Sequence, residues 1–464
     1  MHVHAGRTAR RRRAALGFGL AAVLLAGCAT GIAGTAAPDP EAVPPAGKPA
    51  GYTPSDFPIE FAEEGGADQI ARDALDDVVA HYSSWYPDVF GHEFEPPTGG
   101  YFSIGPGEGN KSGCMESPDD PIIEENAFYC TRDDEVAYWR PLLDRFAGEY
   151  SDMQVGLVLA HELGHTIQER EGMFDVRSIV AETQADCFAG VWAAGVRDGE
   201  NPHFRFDPAN LDETMLAWAL ELPSEVGSDP DAQGQHGSAF DRVSAMQEGY
   251  EQGPEACRDN FDDDRVFTQA EFSQQELANP DPGDASYDSS LDFAQAIFGQ
   301  FYADQFPELG GTWEAPKLVF GGSGDPSCSS NRTVSYCQGA NAVVISDESE
   351  LQDVHEEYGD FAMMTALGLA YGTAAIVELG FSADDPLAMS AASCLTGAVA
   401  SALTRDNPYE VSLSPGDFDE ATVMLLSADD QNTVVDAGDV TAFERMDAFR
   451  AGVNGGATSC GVSG

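Results

Sequence analysis

The sequence predicts an α+β fold, predominantly helical and present twice along one chain. Three observations carry this. Apolar residues recur at helical spacing over several long segments. Between 92 and 134, short apolar runs alternate with Pro, Gly and Asp clusters, the pattern of short strands and loops. A block beginning at Ala239 recurs at Ala442 with a following cysteine in register.

The N-terminal 28 residues form a targeting segment outside the fold. Arg7 and Arg10 to Arg13 make a basic region, and Ala14 to Ala26 is an apolar run short for a bilayer. The ending Leu25-Ala26-Gly27-Cys28 resembles a bacterial lipobox. That resemblance implies cleavage before Cys28, a lipid on its sulfur, and attachment to the extracytoplasmic face of the cell membrane. No later stretch reads as a transmembrane helix. Residues 29–59, rich in Pro, Ala, Gly and Thr, read as a flexible tether.

Ile70, Ala74, Leu75, Val78, Val79 and Tyr82 place a helix over 67–90. Ser151-Asp152-Met153-Gln154 has the form of a capping box, which opens a second helix that Gly172 ends. A third helix covers 178–195, opened by Ser178. Residues 60–258 make the first domain. The acidic stretch 259–285, with Pro280 and Pro282, reads as a linker to a second domain over 286–464.

The chain has 464 residues and is 42% apolar, enough for more than one core. Its 79 acidic and 23 basic residues give a net charge of -56. Such a surface repels nucleic acid, so no nucleic-acid partner is expected, and it suits an exported, soluble shell. With Cys28 lipidated, eight of the nine cysteines remain. An even set in an exported protein suggests disulfides, and none has the CxxC spacing of a zinc site.

The repeat organises these cysteines. Ala239-Phe-Asp-Arg-Val, ending at Cys257, matches Ala442-Phe-Glu-Arg-Met, ending at Cys460. Phe128-Tyr129-Cys130 matches Ser335-Tyr336-Cys337, and Asp186-Cys187-Phe188-Ala189-Gly190 matches Ser393-Cys394-Leu395-Thr396-Gly397. Each copy then holds an early pair (Cys114/Cys130, Cys328/Cys337) and a late pair (Cys187/Cys257, Cys394/Cys460). Bonding within these pairs is the simplest arrangement.

The chemistry lies in the first copy. His161 and His165 stand four apart on a helix, so one face presents two imidazoles to a single metal ion. Glu162 follows the first and can reach a metal-bound water. A hydrolytic zinc keeps three protein ligands and one open position. After a turn at Gly172, an antiparallel helix brings back Glu182 as third ligand and Asp186 as a hydrogen-bond acceptor for a histidine, best His161.

Together, the His161-Glu162-Leu163-Gly164-His165 helix, the segment from Glu182 to Gly190 and the Phe128-Tyr129-Cys130 block resemble the neutral zinc metallopeptidases of bacteria. The resemblance covers about 60–258. It implies a zincin-like metalloprotease domain binding Zn2+ at His161, His165 and Glu182, with Glu162 catalytic, and a peptide or protein substrate. The His236-Gly237-Ser238 segment also resembles this family.

In the second copy, Leu369, Ala370, Thr373, Met389, Ser393 and Asp439 stand where His161, Glu162, His165, Glu182, Asp186 and His236 stand in the first. Loss of the polar set with retention of Gly and Cys positions fits a degenerate, metal-free repeat. It also nominates His236 as a transition-state donor. A reading of another class is a zinc-containing lipoprotein without proteolysis, serving as a binding or assembly module.

Overall fold

The computed structural model describes residues 48–49, 51–205, 214–215, 218, 229–231, 235–274, 276–278, 283–321, 331–383, 385–404, 407–409, 411–427, 434–435, 438 and 440–462. The targeting segment with Cys28, the tether up to residue 47, Cys328 and Asp439 lie outside them.

Helix α1 (Gly66–Phe90) buries Ala67, Ala71, Ala74, Leu75, Val78 and Tyr82 as one stripe. Three short strands follow: β1 (Gly100–Ile104), β2 (Ala127–Cys130) and β3 (Glu135–Trp139). Their order is β1-β3-β2, with β1 parallel and β2 antiparallel to β3. Strand β2 is therefore an edge. Helix α2 (Arg140–Glu149) leaves β3 directly and leads to α3 (Asp152–Glu171), α4 (Ser178–Arg197), α5 (Ala239–Gln252) and α6 (Pro254–Asp259). Tyr82 donates to the Ala160 carbonyl (3.0 Å), pinning α1 to α3.

The second half runs α7 (Tyr287–Leu309), β4 (Lys317–Phe320), β5 (Val334–Cys337), β6 (Ala342–Ile345), α8 (Glu348–Tyr358), α9 (Asp360–Glu378), α10 (Ala388–Ala402), α11 (Asp417–Ser427) and α12 (Ala442–Gly455). Its sheet has the order β4-β6-β5, again with one parallel and one antiparallel pair. Predominantly helical architecture with small sheets agrees with the expected α+β class.

Close helix packing uses glycine at matching places in the two halves. A Cβ on Gly164 would lie 3.0 Å from the Ala185 Cα, so α3 and α4 pack with almost no gap. On Gly372 it would lie 2.9 Å from the Ala392 Cα, between α9 and α10. Gly190 and Gly249 bring the backbones of α4 and α5 together, as Gly397 and Gly452 do for α10 and α12. Disulfides join Cys187 to Cys257 and Cys394 to Cys460 across 5.6 and 5.5 Å between Cα atoms. Cys114 and Cys130 are also bonded.

The two halves share one core. Phe240 on α5 packs on Phe418 and Phe449, with ring centroids 5.2 and 6.0 Å away, and Tyr250 packs on Phe443. Gln247 donates to the Phe443 carbonyl at 2.9 Å, and Arg450 to the Ser244 carbonyl at 2.9 Å.

Several local expectations change. Helix α3 starts after Ser151 and ends at Gly172, which has φ 67, but the capping box does not form. The Gln154 amide N–H bonds the Ser151 carbonyl instead (3.1 Å), and the Gln154 side chain is buried. Helix α4 is capped at Arg177, one residue before Ser178, where the Asp263 carboxylate accepts from the Arg177 N–H. The end of the expected tether is docked on α1: Lys48 and Tyr52 bond Asp73, and Ser55 bonds Asp73 and Asp76. Part of the expected linker is likewise fastened, since Thr268 donates to Asp241. Helix α9 is long and apolar enough to cross a membrane, contrary to the sequence reading, and most of it is buried in this core.

The Gly164 contact yields a test. Gly164→Ala should lower stability by about 1–3 kcal/mol in urea denaturation, because the methyl must push α3 off the α4 backbone. Gly148→Ala, in α2 with open space beside it, should not destabilise.

Candidate metal centre

The α3–α4 hairpin positions the polar residues singled out by the sequence. Gly172, in a left-handed conformation, reverses the chain after α3. The Gly164 contact then sets α4 close enough for Glu182 to stand over the two histidines. His161 Nε2 lies 3.3 Å from Glu182 Oε2, and His165 Nε2 lies 3.5 Å from the same oxygen. One donor atom from each of the three falls within 4.8 Å of the others.

These distances favour a metal site over an ion pair. A charge-assisted N–H···O bond spans about 2.7–2.9 Å. Ligands about 2.0–2.1 Å from a tetrahedral zinc stand roughly 3.3–3.4 Å apart. The observed spacings match that edge. The donor set of two imidazoles and one carboxylate suits zinc as well.

Both histidines are held from behind. His161 Nδ1 faces Asp186 Oδ1 at 2.8 Å. Asp186 is fully buried and also receives two bonds from Arg242 on α5, Nε to Oδ2 at 2.8 Å and Nη2 to Oδ1 at 3.0 Å. His165 Nδ1 donates to Gln168 Oε1 at 2.7 Å. The Gln168 amide is fixed in turn by the Ala181 carbonyl (2.6 Å) and by Gln184 Oε1 (2.9 Å), and Gln184 donates to the Cys257 carbonyl. Each Nδ1 is thus engaged from behind, which leaves each Nε2 as the nitrogen available to a metal ion beside Glu182.

Glu162 is buried, and its Oε2 accepts from the Tyr129 N–H on the edge strand β2 (2.8 Å). Burial raises the Glu162 carboxyl, opposed by the two histidines. Burial alone would lower the His161 imidazole, but Asp186, Glu182 and Glu162 bring it up to about 10. Glu182, despite burial, is held well below the usual carboxylate range by His165 and His161. The centre therefore stabilises positive charge between the two imidazoles. His236 lies just before α5, its Nε2 3.8 Å from Glu182 Oε2, with a third of its side chain exposed.

All six residues singled out by the sequence are thus brought together. The sequence reading passed over Gln168, Gln184, Arg242 and the Tyr129 N–H. Gln168 had a signal, since it stands three after His165 on the same helix face. Arg242 had one too: it recurs as Arg445, although that residue donates to the Leu425 and Val440 carbonyls. Ser393, which the sequence alignment sets against Asp186, has a buried hydroxyl with no partner among the described residues.

Comparison with known proteins agrees with the site. A family model described as "Putative neutral zinc metallopeptidase" matches residues 124–261. Two curated relatives, each named "Uncharacterized protein YpfJ" and from strains of Escherichia coli, are 27% identical over 163 residues. The match covers 29% of this chain and 53% of each relative, so the chain spans about half their length. No solved structure matches.

The Arg242 fork predicts a large stability effect. Arg242→Met leaves Asp186 buried without its bidentate partner and should cost about 3–5 kcal/mol in chemical denaturation. A loss under 1 kcal/mol, roughly that of an exposed pair, would contradict the buried fork.

Proposed function

We propose that the chain is a zinc-dependent endopeptidase, a reading supported by the family-model match over residues 124–261. The observation that carries this reading is the convergence of His161, His165 and Glu182 with Glu162 fixed beside them. His161, His165 and Glu182 hold the ion. Zinc, when bound, supplies a Lewis acid that polarises the scissile carbonyl and acidifies a water.

The protein does the rest. Asp186 and Gln168 fix the tautomers of His161 and His165. Glu162, with its pKa raised by burial, takes the proton of the attacking water and delivers it to the leaving amine. The Tyr129 N–H orients that carboxylate. His236, at the exposed side of Glu182, donates to the oxygen that gains charge in the transition state. Strand β2 is a sheet edge beside Glu162, where an extended peptide can add as a further strand. This supports a peptide or protein as substrate.

We further read residues 286–464 as a metal-free second copy. The repeated strand order, the matched glycine contacts and the paired disulfides support it. Leu369, Ala370, Thr373 and Met389 stand in the alignment for His161, Glu162, His165 and Glu182. Lipid attachment at Cys28 places the enzyme on the outer face of the cell membrane; the lipobox-like sequence supports this.

Two variants test the reading. Glu162→Gln should keep zinc, measured by elemental analysis, and lose about 10²–10⁴-fold of casein hydrolysis. Zinc-loaded wild type without turnover would instead favour a binding module. Asp186→Asn should weaken zinc about 10–100-fold in competition with a chromophoric chelator; unchanged affinity would remove Asp186 from the site.

A further inference from the structure

Apart from the histidines, a second group of ligand-type side chains converges in the second half. Asp284 stands before α7, Asp360 opens α9, and Glu420 lies in the first turn of α11. One carboxylate oxygen from each falls within 4.8 Å of the other two. Asp417, also on α11, adds a fourth carboxyl nearby and is raised well above the usual carboxylate range by burial and then by Asp360.

Backbone amides account for part of this charge. Asp360 Oδ2 accepts from the Ala285 N–H (3.0 Å), Glu420 Oε2 from the Phe361 N–H (2.8 Å), and Asp417 Oδ2 from the Ser414 N–H (2.8 Å). They do not account for Asp360 Oδ1. Asp360 is only 7% exposed, and this oxygen is buried with no hydrogen-bond partner among the described residues. A carboxylate oxygen in that position lacks the compensation that buried charge requires. Gly359 completes the enclosure: its φ is 105, and a Cβ there would collide with the Glu420 carboxylate.

Two described arginines of this half are engaged elsewhere: Arg445 bonds backbone carbonyls, and Arg450 bonds Ser244, Glu251 and Asp447. The His355 imidazole favours the ionised form of Asp360, and its Nε2 lies 2.9 Å from the Ala285 carbonyl.

We propose that Asp284, Asp360 and Glu420 bind a calcium ion. The donors are all carboxylate oxygens, the set of a hard cation, and contain neither the imidazole nor the thiolate that zinc favours. They come from three separate elements, and Asp284 is exposed, which leaves room for water in a shell of six to eight oxygens. Magnesium demands a smaller, near-octahedral cage. The ion fastens the segment before α7 to α9 and α11. Helix α11 also supports the first half, because Asp419 Oδ1 accepts from the Phe240 N–H on α5 (3.2 Å).

The test is calorimetric titration of Ca2+ into the metal-stripped full chain at physiological salt, with a melting curve at each end point. One saturable site and a raised Tm are expected. Asp360→Asn should abolish it, and Asp284→Asn should weaken it about tenfold or more through loss of one ligand. His161→Ala should bind calcium as the wild type does, which separates this site from the histidine centre. Absence of saturable uptake, or uptake unchanged in both carboxamide variants, overturns the proposal. Tighter binding of Mg2+ than of Ca2+ overturns the choice of ion. Should Asp360→Asn fail to fold, the exposed Asp284→Asn decides alone.

Discussion

The buried carboxylate of Asp186 is the interaction on which the rest of the centre depends. It touches His161 from one side and the Arg242 guanidinium from the other, in a region closed to water. Burial opposes its charge, and Arg242 with His161 holds it ionised. A pair this deep adds little stability over well-packed apolar residues of similar shape. Its contribution is orientation. It fixes which imidazole nitrogen faces Glu182, and it ties α3, α4 and α5 at one point. Ser393 and Arg445, which the sequence alignment sets against Asp186 and Arg242, form no such pair: Arg445 donates to backbone carbonyls.

Much of this was legible in the sequence because helical geometry is periodic. Histidines four apart must share a face, and a glycine-ended helix followed by a second apolar helix must fold back. Those rules bring His161, His165, Glu182 and Asp186 together without any tertiary knowledge. Gln168, on the same face, was legible by the same rule and was missed because glutamine carries no specific chemical expectation. The Tyr129 contact to Glu162 is made by a backbone amide, so residue identity cannot announce it. Arg242 and Asp186 meet only through the packing of α5 on α4, and Asp284, Asp360 and Glu420 only through the fold of the second half.

Local signals misled where a nearer partner existed. Ser151 to Gln154 has the right letters for a capping box, but the Gln154 N–H finds the Ser151 carbonyl, and the Gln154 side chain goes inward. Proline- and glycine-rich composition suggested slack chain around 48–59. Asp73 and Asp76 on α1 capture Lys48, Tyr52 and Ser55 instead. Helix α9 reads as membrane-length because a helix buried on all sides and one in lipid share a composition.

Helix α5 faces two ways. One side carries Arg242 toward the histidines, and the other lies under Phe418, Phe443 and Phe449. Severing the chain between its halves would therefore not release a smaller self-sufficient enzyme. It would strip an aromatic face to solvent on the very helix that steadies His161. Constraint on the half that carries His161 thus extends to its neighbour as well, which serves that helix as a wall.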